Sequence, residues 1–130
     1  MSTNWYQKLV LGVAGLIASG IGVAIMAMPH AFYASNGISL GTDVNLINEL
    51  RAPGANLVAL GAIVFAGSIR PQMARLSAFL GATIFLAYAF GRLVSLALDG
   101  VPTDSLLAAT AIEIVVGGLC LLAFRRQHIT

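Results

Sequence analysis

Four apolar runs constrain this chain more than anything else in it. They cover about residues 7–28, 49–69, 73–98 and 104–124 of 130. A helix needs ~20 apolar residues, rising about 1.5 Å each, to cross a hydrocarbon core of about 30 Å. Every run meets that length. Charged residues make up 9% of the chain and mean hydropathy is +0.91, whereas soluble domains carry about 25% charged residues. A membrane β-barrel would alternate polar and apolar residues over segments of about ten, and these runs do not alternate. The expected fold is therefore all-α and integral to the membrane: a single domain, residues 1–130, of four transmembrane helices.

The first run, LVLGVAGLIASGIGVAIMAM after Lys8, has the basic flank of a signal peptide. It is longer than the roughly 7–15 apolar residues of a signal core and no A-x-A site follows it, so it reads as an uncleaved first helix. The connections RPQMAR and DGVPTD are short, which favours antiparallel neighbours in a bundle. Segment 29–48 is long for a helix–helix connection. It holds Phe32 and Tyr33, and aromatic rings favour the headgroup level. This loop is expected along the outer interface, either covering the mouth of the bundle or anchoring it.

If four helices alternate, Lys8, Arg70, Arg75, Arg125 and Arg126 share one side, and Asp43, Glu49, Arg51, Asp99 and Asp104 share the other. Cytoplasmic loops are enriched in Lys and Arg, so both termini are expected in the cytoplasm. The net charge of +2 and pI near 9.1 come from these topology-setting residues. Arg125-Arg126 is too short a patch to track phosphates, and no nucleic-acid partner is expected. Cys120, the one cysteine, has no disulfide partner within the chain. His30 and His128 are expected on opposite faces and cannot share a metal, so neither a metal nor another cofactor is expected.

Small residues recur through the apolar runs. Gly12, Gly15, Ser19 and Gly22 fall on one face of the first helix, where another backbone can approach closely. That face serves internal packing or a homodimer, and a four-helix bundle must first pack itself. Gly61, Gly67, Gly81, Gly91, Gly117 and Gly118 suggest the same tight packing in the other helices. Asn48 is the expected N-cap of the second helix, with Glu49 at the positive end of its dipole and Pro53 in an early, tolerated position. Asp99-Gly100 with Pro102 ends the third helix, and Thr103 or Asp104 caps the fourth.

The polar residues inside the runs form one set. Steps of three and four align Tyr88, Arg92, Ser95 and Asp99 on a stripe of the third helix, and Thr110, Glu113, Gly117 and Cys120 on a stripe of the fourth. Arg92 lies about 10 Å from its outer helix end and Glu113 about 13 Å from its own. Asn56 lies two turns into the second helix, at similar depth. A lone charge at the bilayer centre costs about 2.5–3.5 kcal/mol on insertion scales. A guanidinium meeting a carboxylate with two hydrogen bonds offsets much of that. The expectation is an Arg92–Glu113 pair, with Tyr88, Ser95 and Asn56 satisfying the remaining donors and Glu49 and Arg51 above. The alternative for Arg92 is snorkelling toward the outer headgroups, aided by Asp99. Such a set is either the lining of a small polar pocket or a device that fixes helix register.

The segments ELRAPGANLVALG and FGRLVSLALDGVP, followed by Glu113 in mid-helix, resemble the bacterial family catalogued as domain of unknown function 4345, itself distantly similar to DoxX-like proteins. The most specific piece is GR-x-x-S-x-x-x-DG-x-P, matched by Gly91, Arg92, Ser95, Asp99, Gly100 and Pro102. A second glycine often follows the one in the Arg-Ala segment of the family, and Ala55 stands there in this chain. The resemblance, over about residues 8–124, implies a small four-helix protein of the bacterial inner membrane and no particular activity.

For function, no Ser-His-Asp set, metal cluster or phosphate-cradling loop can be assembled, so the chain is not expected to be an enzyme. It is expected to be an accessory or assembly subunit packed against another membrane protein or itself. The alternative is a standalone binder or carrier of a small amphipathic or anionic ligand, held by Arg92 and Arg51.

Overall fold

The computed structural model describes residues 4–129, with side chains through Arg126, so His128 falls outside the described side chains. Helix α1 spans Trp5–Ala27, a short α2 spans Pro29–Ala34, and α3 spans Val44–Ile69. A 3-10 turn at Pro71–Met73 leads into α4, Ala74–Asp99, and α5 spans Asp104–Ile129. Among the described residues all regular structure is helical. Four of the helices are long and apolar enough to cross a membrane: α1, α3, α4 with its preceding turn, and α5. The chain is a multi-pass membrane protein, and the many large apolar side chains on its surface, such as Leu16, Phe79, Phe90 and Val115, face lipid.

Packing follows the small residues. A Cβ added to Gly15 would stand 2.5 Å from the backbone nitrogen of Phe65, and one added to Gly22 the same distance from the Gly54 carbonyl oxygen. Gly61 lies against Ser19, whose hydroxyl donates to the Val58 carbonyl at 3.5 Å. Pairs running from Gly15 with Phe65 to Gly22 with Val58 make α1 and α3 antiparallel, in contact along most of their length. Gly15, Ser19 and Gly22 therefore serve internal packing. Gly12 is looser, its added Cβ standing 3.7 Å from Ser68. Gly67 abuts Ser77 on α4, and Ser77 donates its hydroxyl to the Ile63 carbonyl at 2.7 Å. One turn further along α4, Gly81 meets Cys120 of α5, and beyond it Leu86 meets Gly117 of α5. Gly91 and Gly118 depart from the expectation: a Cβ at either would meet nothing within 4 Å.

Alternation of four helices brings residue 4 and the end of α5 to one end of the bundle, the terminal end. There α1 joins α5: the Tyr6 hydroxyl donates to the Leu119 carbonyl at 3.3 Å and the Gln7 amide to the Ala123 carbonyl at 3.5 Å. Arg126 stacks over the Tyr6 ring and Arg75 over Phe124. The fully buried core, with Leu11, Val64, Ser77 and Cys120, lies toward this end. At the far end the last two turns of α4 and the first two residues of α5 are exposed.

Helix α3 begins five residues earlier than the apolar run. Asp43, not Asn48, is its N-cap, accepting from the backbone nitrogens of Asn45 at 2.9 Å and Leu46 at 3.4 Å. A carboxylate that satisfies two otherwise unpaired donors starts a helix even where the following turn is polar. Glu49 is consequently past the first turn, and Pro53 lies in the helix interior, where it cannot donate to the Glu49 carbonyl. The preceding loop carries structure of its own. Pro29 occupies the first turn of α2, where its missing N–H costs nothing. Gly37, at φ 79°, closes α2 as its nitrogen donates to the Ala34 carbonyl and Ile38 donates to Tyr33. His30 reaches the Gly41 carbonyl at 2.8 Å.

Candidate functional site

Arg92 and Glu113 meet between α4 and α5: Nε donates to Oε1 at 2.6 Å. It is the one ion pair among the described residues. The partners are unequal in exposure, 35% for the arginine side chain and 11% for the glutamate. Glu113 is thus the enclosed member, and Arg92 is bound to it by Nε, with its terminal nitrogens making no hydrogen bond to the described residues. Helix spacing produces this. Tyr88, Arg92 and Ser95 follow one stripe of α4, while Leu106, Thr110 and Glu113 follow one stripe of α5.

Beside the pair, and reaching toward the far end, an open cavity of ≈ 520 Å³ lies between the two helices. Helix α4 contributes Ala87, Tyr88, Gly91, Arg92, Ser95 and Leu96, and the α5 side contributes Pro102, Leu106 and Thr110. That size lies within the roughly 300–1,000 Å³ of small-molecule sites, and the lining combines apolar surface with a few polar groups as such sites do. The hydroxyl of Thr110 is spent on the Leu106 carbonyl at 2.9 Å. Tyr88, half-exposed, keeps its hydroxyl free of any described partner.

Several expected members lie elsewhere. Ser95 lines the cavity but gives its proton to Asp99 at 2.8 Å, a pairing at the four-residue helical spacing that satisfies it before Arg92 can. Asn56 is exposed on α3 and makes no described side-chain hydrogen bond, because the faces of α3 turned inward are those of Gly54, Leu57 and Gly61. Glu49 and Arg51 are also exposed on α3 and do not line the cavity, which belongs to α4 and α5. Gly91, Leu106 and Thr110 take their place. The shared stripe of Thr110 and Glu113 pointed to one of these, while Gly91 gave only a packing signal.

The α2 loop borders the site without lining it. The Thr103 hydroxyl donates to the Asn36 carbonyl at 3.0 Å, tying the loop to the α4–α5 turn. Phe32 and Tyr33 pack edge to face and rest against the core. Burial raises the Tyr33 pKa above its ordinary value, Tyr88 adds to the rise, and Arg92 opposes it. Tyr33 thus lies within electrostatic reach of the site. Among the described residues no three His, Cys, Asp or Glu side chains converge as metal ligands.

Residues 6–124 match the family model described as domain of unknown function 4345. No curated protein and no solved structure matches the chain.

Proposed function

This chain belongs to the family catalogued as domain of unknown function 4345, and we propose that it is a non-enzymatic binder of a small amphipathic molecule drawn from the surrounding bilayer. One observation carries the reading: a cavity of ≈ 520 Å³ is lined by an arginine whose Nε is fixed by Glu113 and whose terminal donors have no partner among the described residues. A guanidinium oriented in advance binds a polar head without first losing its own rotamer freedom. The apolar surfaces of Ala87, Leu96 and Leu106 suit the body of the same molecule.

The proposed setting is the bacterial inner membrane with both termini in the cytoplasm. Lys8, Arg70, Arg75, Arg125 and Arg126 all belong to the terminal end, and all five acidic residues lie in the half toward the other end, which supports that orientation. The cavity then opens in the outer half of the bilayer.

A second reading, an accessory subunit packed on a larger membrane protein or on itself, draws support from Gly20, Gly91 and Gly118. Each faces open space, where a partner helix can approach the backbone. Gentle extraction from the native membrane through a terminal tag, followed by native mass spectrometry, separates the two. The binder reading expects the chain alone with one small molecule at fixed ratio, lost when Arg92→Met and Glu113→Leu are combined in a chain that still folds. Stoichiometric recovery of another membrane protein, with no small molecule, would refute it in favour of the subunit.

A further inference from the structure

We infer that the α4–α5 cavity selects an amphiphile whose polar head is uncharged and accepts hydrogen bonds, and discriminates against anionic heads. The inference rests on the binder reading and deepens it by naming the ligand class. An arginine in a pocket invites an anion, but this one already carries its counter-ion, with Glu113 Oε1 at 2.6 Å from Nε. The pair is neutral as a unit, so a bound anion would leave a net negative charge within the membrane, where an unbalanced charge is costly.

The surroundings push the same way. Ser95, on the cavity wall, holds Asp99 at 2.8 Å, and Asp104 opens α5 two residues beyond the lining residue Pro102. Two carboxylates therefore stand at the helix ends next to lining residues, though neither lines the cavity itself. No second cation stands on the lining, and Arg51 lies on α3 outside it. The charge of the two carboxylates adds to the bias against an anion, screened by the exposure of both helix ends, and the neutrality of the Arg92–Glu113 pair remains the main cause. The groups that remain for a ligand are mostly donors: the terminal nitrogens of Arg92 and the hydroxyl of Tyr88, with Thr110 already donating to the backbone. A head of ester, ketone or hydroxyl oxygens accepts from them without adding charge.

Two probes with identical chains isolate the head: dioctanoylglycerol, which is uncharged, and dioctanoyl phosphatidate, which is anionic. The full chain in neutral detergent is titrated with each and read by native mass spectrometry. The expected result is binding of the glyceride at one per chain, about tenfold or more tighter than the phosphatidate. Gly91→Leu locates the site. A side chain there meets no protein atom at its Cβ and projects into the cavity, so the variant should fold and lose the glyceride. Equal or tighter binding of the phosphatidate overturns the inference and leaves the binder reading standing. Binding of neither probe to the wild-type chain overturns both, and glyceride binding that survives Gly91→Leu removes it from this cavity.

Discussion

Breaking the Arg92–Glu113 pair from its two sides should not cost the same. Arg92→Met strands a glutamate whose side chain is 11% exposed. Removing one partner of a buried pair costs about 3–5 kcal/mol, and the partial exposure of the arginine places this case at the low end, ~3 kcal/mol. Glu113→Leu strands the arginine instead, which is 35% exposed and seven residues from the end of α4 at Asp99. That distance is about 10 Å, and a long side chain can snorkel much of it to reach the headgroups, so the expected loss is ~1 kcal/mol. The double variant leaves no charge, and an apolar replacement of a buried pair is often neutral, with a loss of ~1 kcal/mol or less. Independent effects would add to ~4 kcal/mol, so the coupling expected from the cycle is ~3 kcal/mol. The assay is unfolding in mixed micelles of rising denaturing-detergent fraction, followed by near-ultraviolet circular dichroism of the tyrosines. A double variant as unstable as the sum of the singles, or a glutamate removal costlier than the arginine removal, would refute the reasoning.

The same titration tests the glycine contacts. Gly67→Ala would force a Cβ into the Ser77 side chain, which is itself held by the Ile63 carbonyl at 2.7 Å, so a loss of ~2 kcal/mol is expected. Gly118→Ala meets nothing within 4 Å and should be neutral or stabilising by ~0.5 kcal/mol. Tyr33 should ionise above its ordinary value of 10.0, because burial is the main cause of its shift. With its folded pKa raised, its contribution to stability is full below the unfolded value and is lost as pH rises through the folded one. Ultraviolet titration in a Tyr6→Phe, Tyr88→Phe background isolates it, and Arg92→Met should move the midpoint higher still, since Arg92 opposes the rise. A midpoint at or below 10.0 contradicts the docking of α2.

The membrane helices were legible because apolar length is a local property, and so was the ion pair, because two ionisable residues at like depth have few other ways to be satisfied. Asn56, Glu49 and Arg51 were misplaced for a different reason. Depth along a helix is set by counting residues, but facing is set by which side the neighbouring helix occupies. On α3 that side is claimed by Gly54, Leu57 and Gly61, whose close contacts turn Asn56 outward. The start of α3 eluded an apolar-run reading because a cap is read from an acceptor and two backbone donors, not from hydropathy. A small polar pocket was one of the two readings of the polar set, but which residues wall it was not legible, since empty space depends on how far apart two helices stand.

That separation traces to where the glycines meet a partner. Along α1 and α3, Gly15, Gly22, Gly54 and Gly61 come into contact with the opposing helix one after another, and the two backbones stay close. Along α4 and α5 the close approaches are Gly81 with Cys120 and Gly117 with Leu86. Beyond them α5 offers Glu113, Thr110 and Leu106 in place of a glycine, and Gly91 of α4 finds no neighbour at all. The Arg92–Glu113 bridge spans the two helices there, with no glycine contact beside it, and the cavity lies next to the bridge. A register device would need the pair alone. The unmatched Gly91, leaving space next to the pair instead of closing it, supports the proposed binding site over a structural pin.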